Sequence, residues 1–318
     1  MIKRNIAIDL LKFLAVFLVM NSHMAICYPR YSFLSTGGAM GDALFFFASG
    51  FTLFLGKPMR FDNWYKRRIS RIYPGIFAAS IFAFIIWGFK EDFGDVLIGK
   101  RHWFIGCILV FYIFLYPIKN IGEGKYTKNI IVIWTLVGAI FYYFVFDGFI
   151  NFYSDGGFYR WFIFFLFMLQ GAWMGKQQNN YQFKWIYVVL WVICSFAWFA
   201  LFHFGNGNGL FFLSLFALLG FTRYTYLIFT APFFEKLYNH LISGNIIYII
   251  SQLCLEVYLI QKHVFTDQLN SIFPINIPII MMAVLIVAYM VKMLSEVIHQ
   301  TFKTEPYDWN KVILYKRF

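Results

Sequence analysis

The sequence predicts an all-α protein, a polytopic transmembrane helical bundle of about ten spans with both termini in the cytoplasm. Hydrophobic residues make up 61% of the chain and charged residues only 13%, which is too little charge to cover a water-soluble surface. Apolar runs of about 17–25 residues recur along the chain, and each can cross a hydrocarbon core of about 30 Å. Most of the 27 Lys and Arg residues fall in connections on one side, which the positive-inside rule places in the cytoplasm.

The predicted spans are joined by short segments that leave no room for a second soluble domain. We therefore expect residues 1–300 to form a single transmembrane domain, followed by a short basic and aromatic cytoplasmic tail at residues 301–318. In chain order, the predicted spans cover residues 6–28, 38–56, 72–89, 102–118, 129–147, 159–175, 185–203, 210–229, 246–265 and 274–297.

The formal net charge of +12 is explained by this topology, so we expect a lipid bilayer around the chain and no nucleic-acid partner. The four cysteines are scattered without the spacing of a metal site, so no metal is predicted. The expected location is a cell membrane crossed many times, namely the cytoplasmic membrane of a bacterium. The sequence does not define the oligomeric state.

The first span, which includes DLLKFLAVFLVMNSHM, carries an acid, a base and an imidazole in an otherwise apolar helix. Eleven residues separate Lys12 from His23, which is within about 20° of three full helical turns, and Asp9 lies within about 60° of Lys12. A charge facing lipid costs about 2.5–3.5 kcal/mol, so this stripe is expected to face the bundle interior or a wet cavity. Two alternatives remain open: Asp9 and Lys12 neutralise each other, or His23 only joins neighbouring helices.

The second span opens with GGAMGDALFFFASGF and combines four glycines with one acid. Asp42 lies near the outer end at about the depth of His23, where a carboxylate can orient an imidazole and stabilise its charged form. A hydrated carboxylate at the end of a span explains Asp42 equally well. The glycines predict close approach of neighbouring helices; they are Gly37, Gly38, Gly41 and Gly50.

Three arginines stand at the start of the third span, in WYKRRISRIYP at residues 64–74. Their helical spacing projects Arg67, Arg68 and Arg71 together at the cytoplasmic face. Guanidinium groups bind phosphates through two parallel hydrogen bonds, so the cluster fits a phosphorylated cytosolic ligand. Anionic lipid and simple topology are competing explanations.

Three more residues are site candidates. His102 and Trp103 open the fourth span on the outer side, near His23 in depth. Glu256 lies inside the ninth span, where a carboxylate is a functional candidate by default.

These groups have a direction across the membrane. Arginines suited to phosphate lie inside, a histidine lies towards the outside, and a polar stripe lies between them. An enzyme that takes an acyl donor from the cytosol and modifies an acceptor across the membrane needs such an arrangement. A transporter needs a similar polar path, and the residues alone do not separate the two functions.

Four motifs resemble those of the membrane acyltransferase family 3 proteins, in the family's order within residues 8–117. IDLLKFLAVFLVMNSH resembles the first-span motif of Asp, a basic residue and His, with Lys12 where the family more often has Arg. GDALFFFASGF resembles the second-span motif that contains Ser49. RRISRIYP is similar to the family's Arg-x-x-Arg followed by Pro, and HWFIGCILVFYIFLYP to its fourth-span pattern.

The resemblance implies transfer of an acyl group, usually acetyl, from cytosolic acyl-CoA to a carbohydrate hydroxyl at or beyond the outer face. On that template His23 is the catalytic base or carries the acyl group. The ninth span departs from the pattern, because Gln261 stands where many relatives have His and His263 is displaced by two residues.

We therefore expect a membrane-bound O-acyltransferase with acetyl-CoA or another acyl-CoA as donor and a cell-surface or membrane-linked glycan as acceptor. His23, assisted by Asp42 or Glu256, is expected to activate the acceptor hydroxyl. The alternative is a transporter or flippase of an anionic or glycan-linked substrate, and a structural or sensor protein comes third. Donor binding is assigned to Lys12, Arg67, Arg68 and Arg71, and substrate binding to Ser49, His102 and Trp103.

Overall fold

The computed structural model describes residues 4–90, 92–98, 103–154, 157–178, 181–205 and 209–313. These residues form α-helices, short 3-10 turns and loops, with no β-strand among them, so the all-α class is confirmed. The α-helices are α1 (Ile6–His23), α2 (Gly38–Phe54), α3 (Phe61–Trp87), α4 (Phe93–Ile98), α5 (Trp103–Asn120), α6 (Thr127–Phe144), α7 (Gly157–Lys176), α8 (Ile186–Phe204), α9 (Leu213–Phe229), α10 (Pro232–Asn239), α11 (Leu241–Gln252), α12 (Cys254–Val264), α13 (Asn276–Thr301) and α14 (Trp309–Val312).

Within the described ranges, 8 helices are long and apolar enough to cross a membrane, which confirms a polytopic bundle. They are α1, α2, α3, α5, α6, α8, α9 and α13. A ninth span results if α11 and α12 cross together, although the two helices meet at an angle of 77°. The count is lower than the expected ten because α7 is not among them. Its 20 residues include Arg160 and Gln170, which reduce its hydropathy, and the middle of the helix is buried.

The first helix is shorter than the predicted first span. α1 ends at His23, and the chain continues into a 3-10 turn at Ala25–Cys27. The Asn21 side chain donates hydrogen bonds to the carbonyl groups of Leu34 and Thr36, at 2.7 and 3.0 Å, and so ties the returning chain to the end of the helix. His23 is therefore a helix-terminal residue rather than a mid-span one.

The third helix is longer than the predicted third span. α3 begins at Phe61, so the basic segment forms its first turns, in agreement with the helical spacing inferred for the arginines. Pro74 lies inside α3, where it has no N–H to donate to the carbonyl group of Ser70.

The chain divides into two compact units. Unit 1 comprises Met1–Leu11, Asp42–Pro58 and Ile113–Asn239, and unit 2 comprises Lys12–Gly41, Met59–Tyr112 and His240–Phe318. The single domain at residues 1–300 and the separate tail at residues 301–318 stay predictions.

In unit 1, α2 crosses α7 with the two backbones in contact. A Cβ atom at Gly50 would overlap the carbonyl oxygen of Met168, and a Cβ atom at Gly171 would overlap that of Phe47. Since only glycine allows backbones to approach so closely, the close approach predicted at Gly50 is confirmed.

Helix α9 is joined to its neighbours in unit 1 by hydrogen bonds between side chains. Thr222 on α9 donates to the Oε1 atom of Gln170 on α7 at 2.7 Å. Trp191 on α8 donates to the hydroxyl oxygen of Thr225 at 2.9 Å. Such polar contacts hold apolar helices in register where lipid provides no hydrophobic driving force between them.

In unit 2, helices α3, α12 and α13 pack against one another. Gly75 lies at the crossing of α3 and α12, where a Cβ atom would lie 3.0 Å from the Cδ2 atom of Leu255. Gly41 faces α1, and a Cβ atom there would lie 3.0 Å from the carbonyl oxygen of Ala15. The glycines again mark the closest helix crossings.

Candidate functional site

The polar stripe of α1 passes from the interior to the surface along the helix. Asp9 is 3% exposed, Lys12 is half-buried and His23 is exposed. The stripe was expected to face the interior or a wet cavity. Of its three residues, only Asp9 is buried in the interior. His23 is reachable from outside the protein because α1 ends there.

Asp9 does not depend on Lys12 for neutralisation. Its carboxylate accepts hydrogen bonds from the Arg4 guanidinium, at 2.9 Å for the Nη2–Oδ1 pair, and from the Tyr238 hydroxyl at 2.7 Å. The sequence reasoning missed both partners. Arg4 could have been identified from the sequence, because it lies only five residues before Asp9. Tyr238 is distant in the chain, and no sequence pattern near Asp9 points to it.

Asp42, in unit 1, lies beside a cation that the sequence analysis did not identify as its partner. The Arg160 Nη2 atom at the start of α7 is 3.7 Å from the Oδ2 atom of Asp42. The Asp42 side chain is 9% exposed and that of Arg160 is 19% exposed. The Arg160 guanidinium also lies 5.8 Å from the ring centroid of Phe164. Asp42 is thus a buried, paired carboxylate and not a hydrated one.

The second-span motif combines packing with one polar group. Phe46 and Phe51 are fully buried, and Gly50 sits at the crossing with α7. Ser49 is half-buried between them. Its role in substrate binding stays a prediction.

The three arginines of α3 differ in exposure. Arg67 and Arg71 are exposed, whereas Arg68 is buried. The Arg68 guanidinium lies 4.5 Å from the ring centroid of Trp64, within the range of a cation–π interaction. Trp64 is itself held in place, because its Nε1 atom donates to the Tyr112 carbonyl oxygen at 3.2 Å.

Arg68 has unused hydrogen-bonding capacity. Its Nε atom is buried and has no partner among the residues that the structure describes. Stacking on an indole covers one face of the guanidinium and leaves its in-plane N–H groups free for an acceptor. An anion with several oxygens, such as a phosphate, would satisfy them.

Glu256 lies in the first turn of α12, directly after the bend at Leu253. Its Oε1 atom is 3.3 Å from the Lys292 Nζ atom on α13, and Lys292 also lies 3.2 Å from Glu296. The Nδ1 atom of His299 lies 3.6 Å from the Oε2 atom of Glu296. The network becomes more exposed from α12 towards the end of α13: the exposed fraction of the side chain is 2% at Glu256 on α12, and 19% at Lys292 and 23% at Glu296 on α13.

Lys292 is a residue that the sequence reasoning overlooked. It falls within the predicted tenth span at residues 274–297, yet it was not considered as a site candidate. A lysine inside an apolar span carries the same signal as Glu256, and two such charges in neighbouring spans indicate a pair.

The remaining predicted residues belong to unit 2. His102 lies outside the described residues. Trp103 is half-buried, with its ring in edge-to-face contact with Phe104, which in turn lies 5.4 Å from the Tyr258 ring. Gln261 is buried, whereas the His263 ring stacks on Trp87 at 5.4 Å.

Among the described residues, no group of three His, Cys, Asp or Glu side chains is arranged to hold a metal ion. A family model described as an acyltransferase domain matches residues 5–293, which is most of the chain. A search of curated proteins and a search of solved structures each gave no match.

Proposed function

We propose, from the premise that this chain belongs to the acyltransferase 3 family, that it transfers an acyl group, in the simplest case acetyl, from cytosolic acyl-CoA to a hydroxyl of a cell-surface or membrane-linked glycan. Family membership makes the chain an acyltransferase, and its apolar helices make it a multi-pass membrane protein. The donor, the acceptor and the residue roles are the proposal.

The observation that carries the choice of donor is the buried Arg68 guanidinium, stacked on Trp64 with an unpartnered Nε atom. A buried, unpaired cation is costly, and an incoming phosphate group would compensate its charge. Arg67 and Arg71 are exposed on the same helix and add positive potential at its start. Acyl-CoA carries phosphates on the part of the molecule that does not react, so these arginines would hold the donor while its thioester stays free. Lys12, half-buried on α1, is assigned to the donor path.

The proposed chemistry is base-assisted transfer. His23 removes the proton from the acceptor hydroxyl, the oxygen attacks the thioester carbonyl carbon, the C–S bond breaks, and the CoA thiolate takes up a proton. Transfer by way of an acyl group on the imidazole gives the same products in two steps. Asp42 and Glu256 are proposed to assist His23, and Ser49, His102 and Trp103 to bind the acceptor.

The test is replacement of His23 by Ala, with His203→Ala as the matched control. His203 is also exposed and also lies at the end of a membrane helix, α8. Because general-base catalysis contributes about 10²–10⁴-fold, we expect H23A to lower acyl transfer by that factor at an unchanged level in the membrane. Transfer by H23A at the rate of H203A would contradict the assignment. Mass spectrometry of surface glycans with and without the gene would identify the acceptor.

One observation favours the alternative function of transport. The 77° bend between α11 and α12, with Glu256 in the turn that follows, resembles the broken helices that form transporter sites. Vesicles containing the purified protein distinguish the two functions. Acylated acceptor that forms only when acetyl-CoA is present supports the enzyme, whereas accumulation of unmodified substrate without any acyl donor supports transport.

A further inference from the structure

Unit 1 contains another arginine that lies over an indole ring, on α9, and no part of the proposed mechanism uses it. The Arg223 guanidinium lies 5.5 Å from the ring centroid of Trp173 on α7. Its Nε atom is buried and has no partner in the described part of the chain. Arg223 thus has the features that single out Arg68, namely an indole against one face and an unsatisfied in-plane nitrogen.

The position of Arg223 makes a missing counter-charge costly. It lies six residues before the end of α9, or about 9 Å along the helix axis, within an apolar span. Two other half-buried cations of this protein have carboxylate partners: Arg160 faces Asp42, and Lys292 faces Glu256. Arg223 is half-buried, and since an unpaired charge inside a membrane protein is disfavoured, an anion bound there would be stabilising.

The surroundings of Arg223 are suited to an anion with several oxygen atoms. The positive charge of Arg223 acts on the phenol of Tyr181, whose ring contacts Tyr226 edge-on at 6.1 Å between centroids. Burial raises the pKa of Tyr181, and the charge of Arg223 only partly opposes this, so the phenol keeps its proton. Its hydroxyl donates a long hydrogen bond of 3.3 Å to Gln177, a donor that can be redirected to a ligand.

We propose that Arg223, stacked on Trp173, is a second phosphate-binding site, distinct in sequence from the arginines of α3. The in-plane N–H groups of the guanidinium bind two oxygens of one phosphate, and the indole fixes the plane of the fork. Two sources carry this chemistry. One is a phosphate of the CoA donor, which rests on the proposed function, and the other is the headgroup of an anionic phospholipid, which does not.

The experiment compares the wild type with Arg223→Gln and Arg223→Lys in nanodiscs. Lys236→Gln is the matched control, because it removes one positive charge from an exposed position of unit 1. One set of nanodiscs contains phosphatidylcholine alone, and the other contains equal parts of phosphatidylcholine and phosphatidylglycerol. The two measurements are the Kd for acetyl-CoA and the amount of phosphatidylglycerol that the protein retains in native mass spectrometry.

If the donor occupies the site, R223Q raises the Kd for acetyl-CoA about tenfold in both kinds of nanodisc, and K236Q leaves it unchanged. If a lipid occupies the site, R223Q loses retained phosphatidylglycerol and its Kd for acetyl-CoA stays at the wild-type value. R223K keeps the positive charge but lacks the forked guanidinium. The measurement that changes in R223Q should therefore take a value in R223K between those of the wild type and R223Q. R223K serves as the test if R223Q does not fold.

The proposal is overturned if R223Q and R223K match K236Q in both measurements. A wild-type protein that does not bind acetyl-CoA at all would instead contradict the proposed function. In that case the retention of phosphatidylglycerol still decides the role of Arg223.

Discussion

The pair of Glu256 and Lys292 should respond unequally to removal of its two partners. In Lys292→Met, a carboxylate that is 2% exposed loses the cation at 3.3 Å, and its second oxygen already has no partner among the described residues. Breaking a buried ion pair in this way costs about 3–5 kcal/mol of unfolding free energy. In Glu256→Gln, Lys292 keeps Glu296 at 3.2 Å and the amide keeps a hydrogen bond, so the expected cost is about 1 kcal/mol.

A double variant tests the physical reasoning behind this asymmetry. Glu256→Leu combined with Lys292→Met replaces the buried pair by apolar groups of similar size. Such replacements are close to neutral, so the double variant should be more stable than K292M alone. The assay is equilibrium unfolding of the purified proteins in mixed micelles. An E256Q protein as unstable as K292M, or a double variant less stable than K292M, would refute the reasoning.

The same double variant separates structure from chemistry at Glu256. Wild-type acyl transfer by the stable double variant would show that the pair only stabilises the helices. A stable double variant without transfer would place Glu256 or Lys292 in the reaction, as the assignment of Glu256 to the site requires.

Two further predictions concern packing and thiol reactivity. Gly50→Ala should lower the unfolding free energy by about 3 kcal/mol, because the new Cβ atom meets the backbone of α7. Thr52→Ala, on the exposed side of α2, should leave the unfolding free energy unchanged. Thermal unfolding of the two variants tests this difference. Burial raises the pKa of the Cys27 thiol, so alkylation of a variant that retains only this cysteine should be slow at neutral pH and accelerate as the pH rises. Alkylation at neutral pH as fast as that of free cysteine would contradict this.

Several features could be predicted from the sequence because they depend on local properties. Transfer of apolar side chains into lipid is nearly additive along a helix, so the hydropathy of each segment predicts a membrane helix without knowledge of its neighbours. Helical spacing alone places Arg67 and Arg71 on one side of α3, where both are exposed, and the glycine of the Ser-Gly-Phe motif marks a close crossing. The motifs of the first four spans indicate the family for a similar reason, since each is a short segment readable on its own.

Tertiary structure decided which charges meet and which face inwards. Nothing near Asp42 in the chain points to Arg160. The sequence marks Glu256 and Lys292 as charges within apolar spans, but their contact depends on packing, which sets the rotation of the two helices. Spacing groups Arg68 with Arg67 and Arg71, but only the neighbouring indole of Trp64 and the burial around it distinguish Arg68. The sequence thus determined a helical membrane acyltransferase and its candidate residues. Their partners depended on helix packing, because ion pairs and stacking require atoms within a few ångströms of each other, whatever their separation in the chain.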